Sequence, residues 1–120
     1  MTQIAISRIV NELRYDHHMF SETELLAVFR ALSNPARRQM LVWLKEPMSF
    51  PGQESGDVEI GVCVTDIQRR AGLGQSTTSQ YLAMLRRAGL VVATRRGKWT
   101  YYRRDEANIA RLLETLGDVF

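Results

Sequence analysis

Cysteine is almost missing from this 120-residue chain, which holds only Cys63. An internal disulfide is therefore excluded, and a reducing compartment is expected. Long apolar runs are missing as well. None approaches the roughly 20 residues that a membrane span requires, so no membrane partner is expected and the cytoplasm is the expected location. The first residues, MTQIAISRIVNELRYDHH, show no basic stretch followed by an apolar block, so no secretion signal is expected. Enzyme signatures are absent too: no glycine loop to cradle phosphate, no carboxylate pair at a recognisable spacing, no companion in sequence to activate Cys63. The length suits one domain over 1–120.

The most informative absence is of acid. Between Asp66 and Asp105 there is no Asp or Glu, while the interval holds Arg69, Arg70, Arg86, Arg87, Arg95, Arg96, Lys98, Arg103 and Arg104. With nine cations there and a net charge of +3, the rest of the chain carries −6. Such a split turns one face toward a polyanion, whereas an ordinary solvated surface intersperses its acids. Nucleic acid is the expected partner. A winged helix serving only as a protein–protein module has no need of such a stretch.

Residues 3–15 place Ile6, Ile9, Val10 and Leu13 at helical spacing. Ser21 and Glu24 stand in capping-box positions ahead of a helix whose apolar side includes Leu25, Leu26, Val28, Phe29 and Leu32. Asn34-Pro35 starts another, burying Met40, Leu41, Val42 and Leu44 in some combination and ended by Pro47. Residues 46–60 lack periodicity and read as a loop. Thr65 and Gln68 make a second capping box for a short helix through Ala71, and Gly72-Leu73-Gly74 separates it from a helix over Gln75 to Ala88 stopped by Gly89. This is a helix-turn-helix over about 65–89. Leu90 to Arg95 and Lys98 to Arg103 read as two strands around Arg96-Gly97, a wing over about 90–103. Asp105 caps a last helix over about 105–117 with apolar Ile109, Leu112, Leu113 and Leu116. The expected fold is mainly α with a small β-hairpin: a winged helix-turn-helix with additional N- and C-terminal helices.

On a helical wheel Thr78, Leu82 and Leu85 face the core, and Ser76, Gln80, Ala83 and Arg87 stand opposite, with Thr77 and Ser79 beside them. Short polar side chains near a helix N-terminus are what reaches base edges in a major groove. Gln80 suits adenine, Ser76, Thr77 and Ser79 suit phosphates or base edges, and Gln75 sits where first-turn amides favour a phosphate. Serine and threonine are mediocre helix formers, so their clustering here asks for a reason beyond solubility. Arg95, Arg96 and Lys98 at the wing tip suit a minor groove. Trp99, Tyr101 and Tyr102 read as cross-strand packing.

VFRALSNPARRQMLVWL, then VTDIQRRAGLGQSTTSQYLAMLRRAGLV, then RRGKWTYYR closely resemble the ArsR family of bacterial winged-helix repressors, over about residues 24–117. The resemblance implies a homodimer held by its first and last helices, hence by Ile6, Ile9, Val10 and Leu13 with Ile109, Leu112, Leu113 and Leu116. It also implies a near-palindromic double-stranded operator, blocked until a signal releases the protein. Two metal-site patterns of that family are broken here. Where one has CVCDLC this chain has CVTDIQ, with Thr65 and Gln68 in place of thiols, and after Asp105 the histidine of the other is Ala107. No metal and no cofactor are expected. His17 and His18 suit exposed loop positions or ligands shared with Cys63 across a dimer. Cys63 itself has two readings: a small buried hydrophobe, or a thiol sensor activated by the helix N-terminus and by Arg69 and Arg70.

Overall fold

The computed structural model describes residues 19–51 and 59–120. The expected helix over 3–15, with Ile6, Ile9, Val10 and Leu13, lies outside the described residues, as do His17 and His18. The elements in order are α1 (Glu22–Leu32), α2 (Pro35–Trp43), a 3-10 turn (Pro47–Ser49), β1 (Val62–Cys63), α3 (Val64–Ala71), α4 (Gln75–Arg87), β2 (Val91–Arg96), β3 (Trp99–Arg104) and α5 (Glu106–Val119).

Local chemistry sets most of these boundaries. At α1 the Ser21 hydroxyl accepts from the Glu24 amide at 3.2 Å while Glu24 Oε1 accepts from the Ser21 amide at 3.0 Å. The Asn34 side chain accepts from the Arg37 amide at 3.1 Å, with Pro35 opening α2. At the end of α1 the Arg30 carbonyl accepts from the Ser33 amide at 3.3 Å and the Ser33 hydroxyl at 2.7 Å, and the partial charge of the last carbonyls favours cations. Two arginines of α2 meet them. Arg37 donates from Nε to the Ala31 carbonyl at 2.8 Å and from Nη2 to the Arg30 carbonyl at 3.1 Å, and Arg38 donates from Nη1 to the Leu32 carbonyl at 2.6 Å. Leu26, Phe29 and Val42 are exposed, contrary to their place on the expected apolar sides. Leu26 and Phe29 follow directly on buried Leu25 and Val28, about 100° round the helix, and Val42 stands two positions, about 200°, from both buried Met40 and Leu44.

The sheet has three antiparallel strands in the order β1-β3-β2, one more than the expected hairpin. Val62 pairs with Tyr102 and Cys63 with Tyr101. A two-residue strand is too short to show alternation in sequence. Gly61 admits it to the sheet: its φ is +103°, and a Cβ there would overlap the Tyr102 carbonyl oxygen. Because pairing holds Cys63 extended, α3 begins immediately afterwards with Cys63 at the N-cap. Thr65 therefore lies inside the first turn and the expected Thr65 capping box does not form. Register runs to Arg96 opposite Trp99, so the wing turns on Gly97-Lys98, one residue later than expected, with Gly97 at φ +61°. Of the expected 46–60 loop, 52–58 lie outside the described residues; Pro47–Ser49 form the 3-10 turn, and Phe50 after it is buried in the core.

Met40, Val62, Ile67, Leu82, Leu85 and Leu90 make the buried centre, each contributing on the order of 1.5–3 kcal/mol of transfer free energy. Thr78 is buried among them and satisfies its hydroxyl on the Gly74 carbonyl at 2.8 Å. α5 starts with the Asp105 carboxylate accepting from the Asn108 amide at 3.0 Å and is docked by Asn108 Nδ2, which donates to the Gly89 carbonyl at 2.7 Å. The Thr115 hydroxyl accepts from the Phe20 amide at 3.2 Å and ties α5 to the chain entering α1.

Candidate nucleic-acid interface

α4 is held by its apolar side and presents the other. Thr78, Leu82 and Leu85 are buried, whereas Gln75, Ser76, Ser79, Gln80, Arg86 and Arg87 are exposed and Thr77 and Ala83 half-buried. The wheel expectation is met. Gly72, left-handed at φ +66°, ends α3, and Gly74 caps α4 without a side-chain bond, which leaves the first-turn amides open to an anion. Within the exposed face Gln80 Nε2 donates to the Ser76 hydroxyl at 3.4 Å, which aims the amide along the helix surface.

Behind α4 lies a support that the sequence reading passed over. Arg37, 8% exposed, sits with its guanidinium carbon 5.0 Å from the centre of the Tyr81 ring. The Tyr81 hydroxyl lies 3.5 Å from Asn34 Nδ2, which donates to it. One signal was available: Arg37 falls three and seven residues before Met40 and Leu44, on the buried face of α2.

The acid-free stretch divides once its neighbours are known. Arg69 meets Asp66 at 3.2 Å, and Arg104 meets Glu106 with contacts of 2.7 and 3.3 Å. Arg70 lies 4.7 Å from the Trp43 ring and 4.8 Å from that of Phe50, and donates to the Ser49 hydroxyl at 3.0 Å. Arg103 is half-buried. Apart from Arg70, which is exposed but held against those two rings, Arg86 and Arg87 at the end of α4 and Arg95, Arg96 and Lys98 on the wing tip are the stretch's exposed cations without an acidic partner among the described residues. The basic surface is thus concentrated on the recognition helix and the wing.

The packing expected of the wing aromatics holds for Tyr102, which is buried, and partly for Tyr101. It does not hold for Trp99, which is 44% exposed at the closing pair of the hairpin, beyond the reach of the core. On α5, Leu112 at 5% exposure is taken up by the chain's own core, which leaves little of its surface for a second subunit, while Ile109 and Leu116 pack half-buried against that core. Leu113 is 63% exposed. The sequence reading missed exposed Val119 and Phe120 at the end of α5; the Phe120 ring lies 6.5 Å from that of Phe29 on α1, where Leu26 is exposed as well. A terminal residue and the off-face positions of a helix carry no periodic signal. Cys63 is half-buried and free, and its side chain makes no cap bond to α3. Among the described residues no three His, Cys, Asp or Glu side chains gather as metal ligands, and no helix is long and apolar enough to cross a membrane.

A tri-helical core whose second helix-turn-helix member is polar outside, flanked by a cationic β-wing, defines a winged-helix DNA-binding protein. Residues 62–92 match the family described as bacterial regulatory protein, arsR family. The chain is 52% identical over 95 residues to the uncharacterised HTH-type transcriptional regulator YbzH of Bacillus subtilis (strain 168), covering 78% of this chain and 95% of that one. It is 35% identical over 94 residues to the putative arsenical resistance operon repressor ArsR2 of Halobacterium salinarum, covering 78% and 69%. The solution structure of a homodimeric winged helix-turn-helix DNA-binding domain from Mycobacterium bovis, a possible ArsR-family regulator, superposes with a TM-score of 0.58 at 29% identity, over 81% of this chain and 78% of that one. The chain belongs to the ArsR family. It is a DNA-binding transcriptional regulator, not an enzyme.

Proposed function

We propose that the protein is a cytoplasmic homodimeric repressor that occupies a near-palindromic double-stranded operator until a signal releases it. The observation that carries this reading is the polar face of α4 lying in the same molecule as five exposed cations, on its C-terminal turn and on the wing, that have no acidic partner among the described residues. In this reading Gln80 pairs with a base, Ser76, Thr77 and Ser79 take base edges or phosphates, and Gln75 takes a phosphate at the open N-terminus of α4. Arg87, Arg95, Arg96 and Lys98 neutralise backbone phosphates and supply salt-dependent affinity. The exposed Leu113, with Ile109 and Leu116 beside it, forms the subunit contact together with Ile6, Ile9, Val10 and Leu13 of the N-terminal stretch. Repression is supported by the name of the halobacterial relative and dimerisation by the mycobacterial domain.

Gln80→Ala tests the reading. A bidentate amide–adenine pair discriminates by about 1–3 kcal/mol, so binding to a duplex selected by the protein from a random pool should weaken roughly tenfold or more, while binding to unselected DNA should hardly change. Equal losses on both duplexes would remove Gln80 from base reading.

A further inference from the structure

Trp99 closes the wing opposite Arg96, the last pair before the turn. Side chains alternate along a strand, so Trp99 shares a face with Arg96, Thr94 and Tyr101, opposite to the face that carries buried Val91 and Tyr102. It joins neither the core nor the half-buried hydrophobics packed on it. Lys98 Nζ stands 5.2 Å from the ring centre, and Arg95 bends back through a 3.2 Å bond from Nε to the Gly97 carbonyl. The result is a half-exposed indole flanked by Arg96 on its own face and by the Lys98 ammonium at the turn, with Arg95 on the opposite face of the ribbon tip. Cations at that spacing engage phosphates, and phosphates line both walls of a minor groove. An indole carried beside them meets the deoxyribose rings and the base edges that line the groove.

We propose that Trp99 is a minor-groove contact residue of the wing, packing its indole against the sugars and base edges just outside the half-site read by α4; this rests on the operator reading given above. The groove floor distinguishes base pairs only by the guanine 2-amino group. That group obstructs a flat ring, so Trp99 confers a preference for A·T pairs in the flanks at positions that α4 does not touch.

The test uses a duplex selected by the protein from a random pool, with its flanking A·T pairs replaced by G·C or by inosine·C, which lacks the 2-amino group. Wild-type protein should lose affinity about tenfold on the G·C flank, the scale of one aromatic contact, and recover it on inosine·C. Trp99→Thr should bind all three duplexes alike at the weaker level, with an unchanged salt slope because no phosphate contact is lost. Arg96→Ala should keep the G·C penalty. In a Trp43→Phe background, where Trp99 is the sole tryptophan, duplex binding should shield its emission from acrylamide. A G·C penalty that persists in Trp99→Thr, or a Trp99 still open to acrylamide in the complex, overturns the assignment. Shielding that follows protein concentration without DNA overturns it in favour of a contact with a second copy. If Gln80→Ala behaves as expected while Trp99→Thr does not, only this inference falls; if no duplex is selected, the operator reading fails and takes the inference with it.

Discussion

Replacing Arg37 by methionine keeps the aliphatic stem and removes the guanidinium from a place where it has three partners. Its two donated bonds go to the buried Ala31 carbonyl at 2.8 Å and to the Arg30 carbonyl at 3.1 Å, the latter also accepting from Ser33, and Arg37 is only 8% exposed. Bonds from a charged donor contribute about 1.5–3 kcal/mol each, and leaving a buried acceptor unsatisfied costs on the order of 1–3 kcal/mol. The contact with the Tyr81 ring at 5.0 Å adds roughly 0.5–2 kcal/mol. One side chain makes all three contacts, so the contributions overlap, and we expect a net loss of about 3 kcal/mol. For a domain of this size that lowers Tm by roughly 10 °C. The assay is urea unfolding followed by circular dichroism at one fixed protein concentration, since a dimer's apparent stability depends on concentration. Arg38→Met is the control: Arg38 is exposed and makes a single bond, to the Leu32 carbonyl at 2.6 Å, so its loss should stay below about 1 kcal/mol. A loss at Arg37 no larger than at Arg38 would refute the view that this arginine joins α1 and α2 to the recognition helix.

Gly61→Ala should destabilise by about 3 kcal/mol or more, since the new Cβ meets the Tyr102 carbonyl at a φ of +103°; a shift of less than about 1 kcal/mol on denaturant unfolding would show that β1 can detach without consequence. Arg96→Ala combined with Lys98→Ala should weaken binding to all duplexes and lower the salt slope by about 2, and an unchanged slope would take the wing off the backbone. Leu113→Glu should shift the protein toward monomer in sedimentation equilibrium, whereas Leu112→Ala should lower unfolding stability by about 2–5 kcal/mol without that specific shift; the opposite pattern would exchange the roles of the two leucines.

Most of the helical framework was legible in the sequence because its determinants are local. Ser21 with Glu24, Asn34 with Arg37, and Asp105 with Asn108 bond within three residues, so spacing alone displays them. The same holds for the recognition face: Thr78, Leu82 and Leu85 define one side of α4, and the exposed polar positions follow by rotation. The second capping box failed for a nonlocal reason. Strand pairing of Cys63 with Tyr101, 38 positions away, set where α3 could begin.

Charge shows the division most clearly. The order of residues determined that nine cations and no acid would lie between Asp66 and Asp105, and so that the protein would face a polyanion. Which cations remain available was decided by tertiary structure. Packing brought Trp43, Ser49 and Phe50 against Arg70, which stays exposed but is held there, and gave Arg69 and Arg104 acidic partners, while Arg86, Arg87, Arg95, Arg96 and Lys98 are exposed without one among the described residues. Likewise, adjacent Leu112 and Leu113 are equivalent by composition, yet one fills the core and the other faces outward. Local bonds and periodicity act within a few residues and can be read along the chain, whereas burial and partner choice arise between segments that only the folded chain brings together.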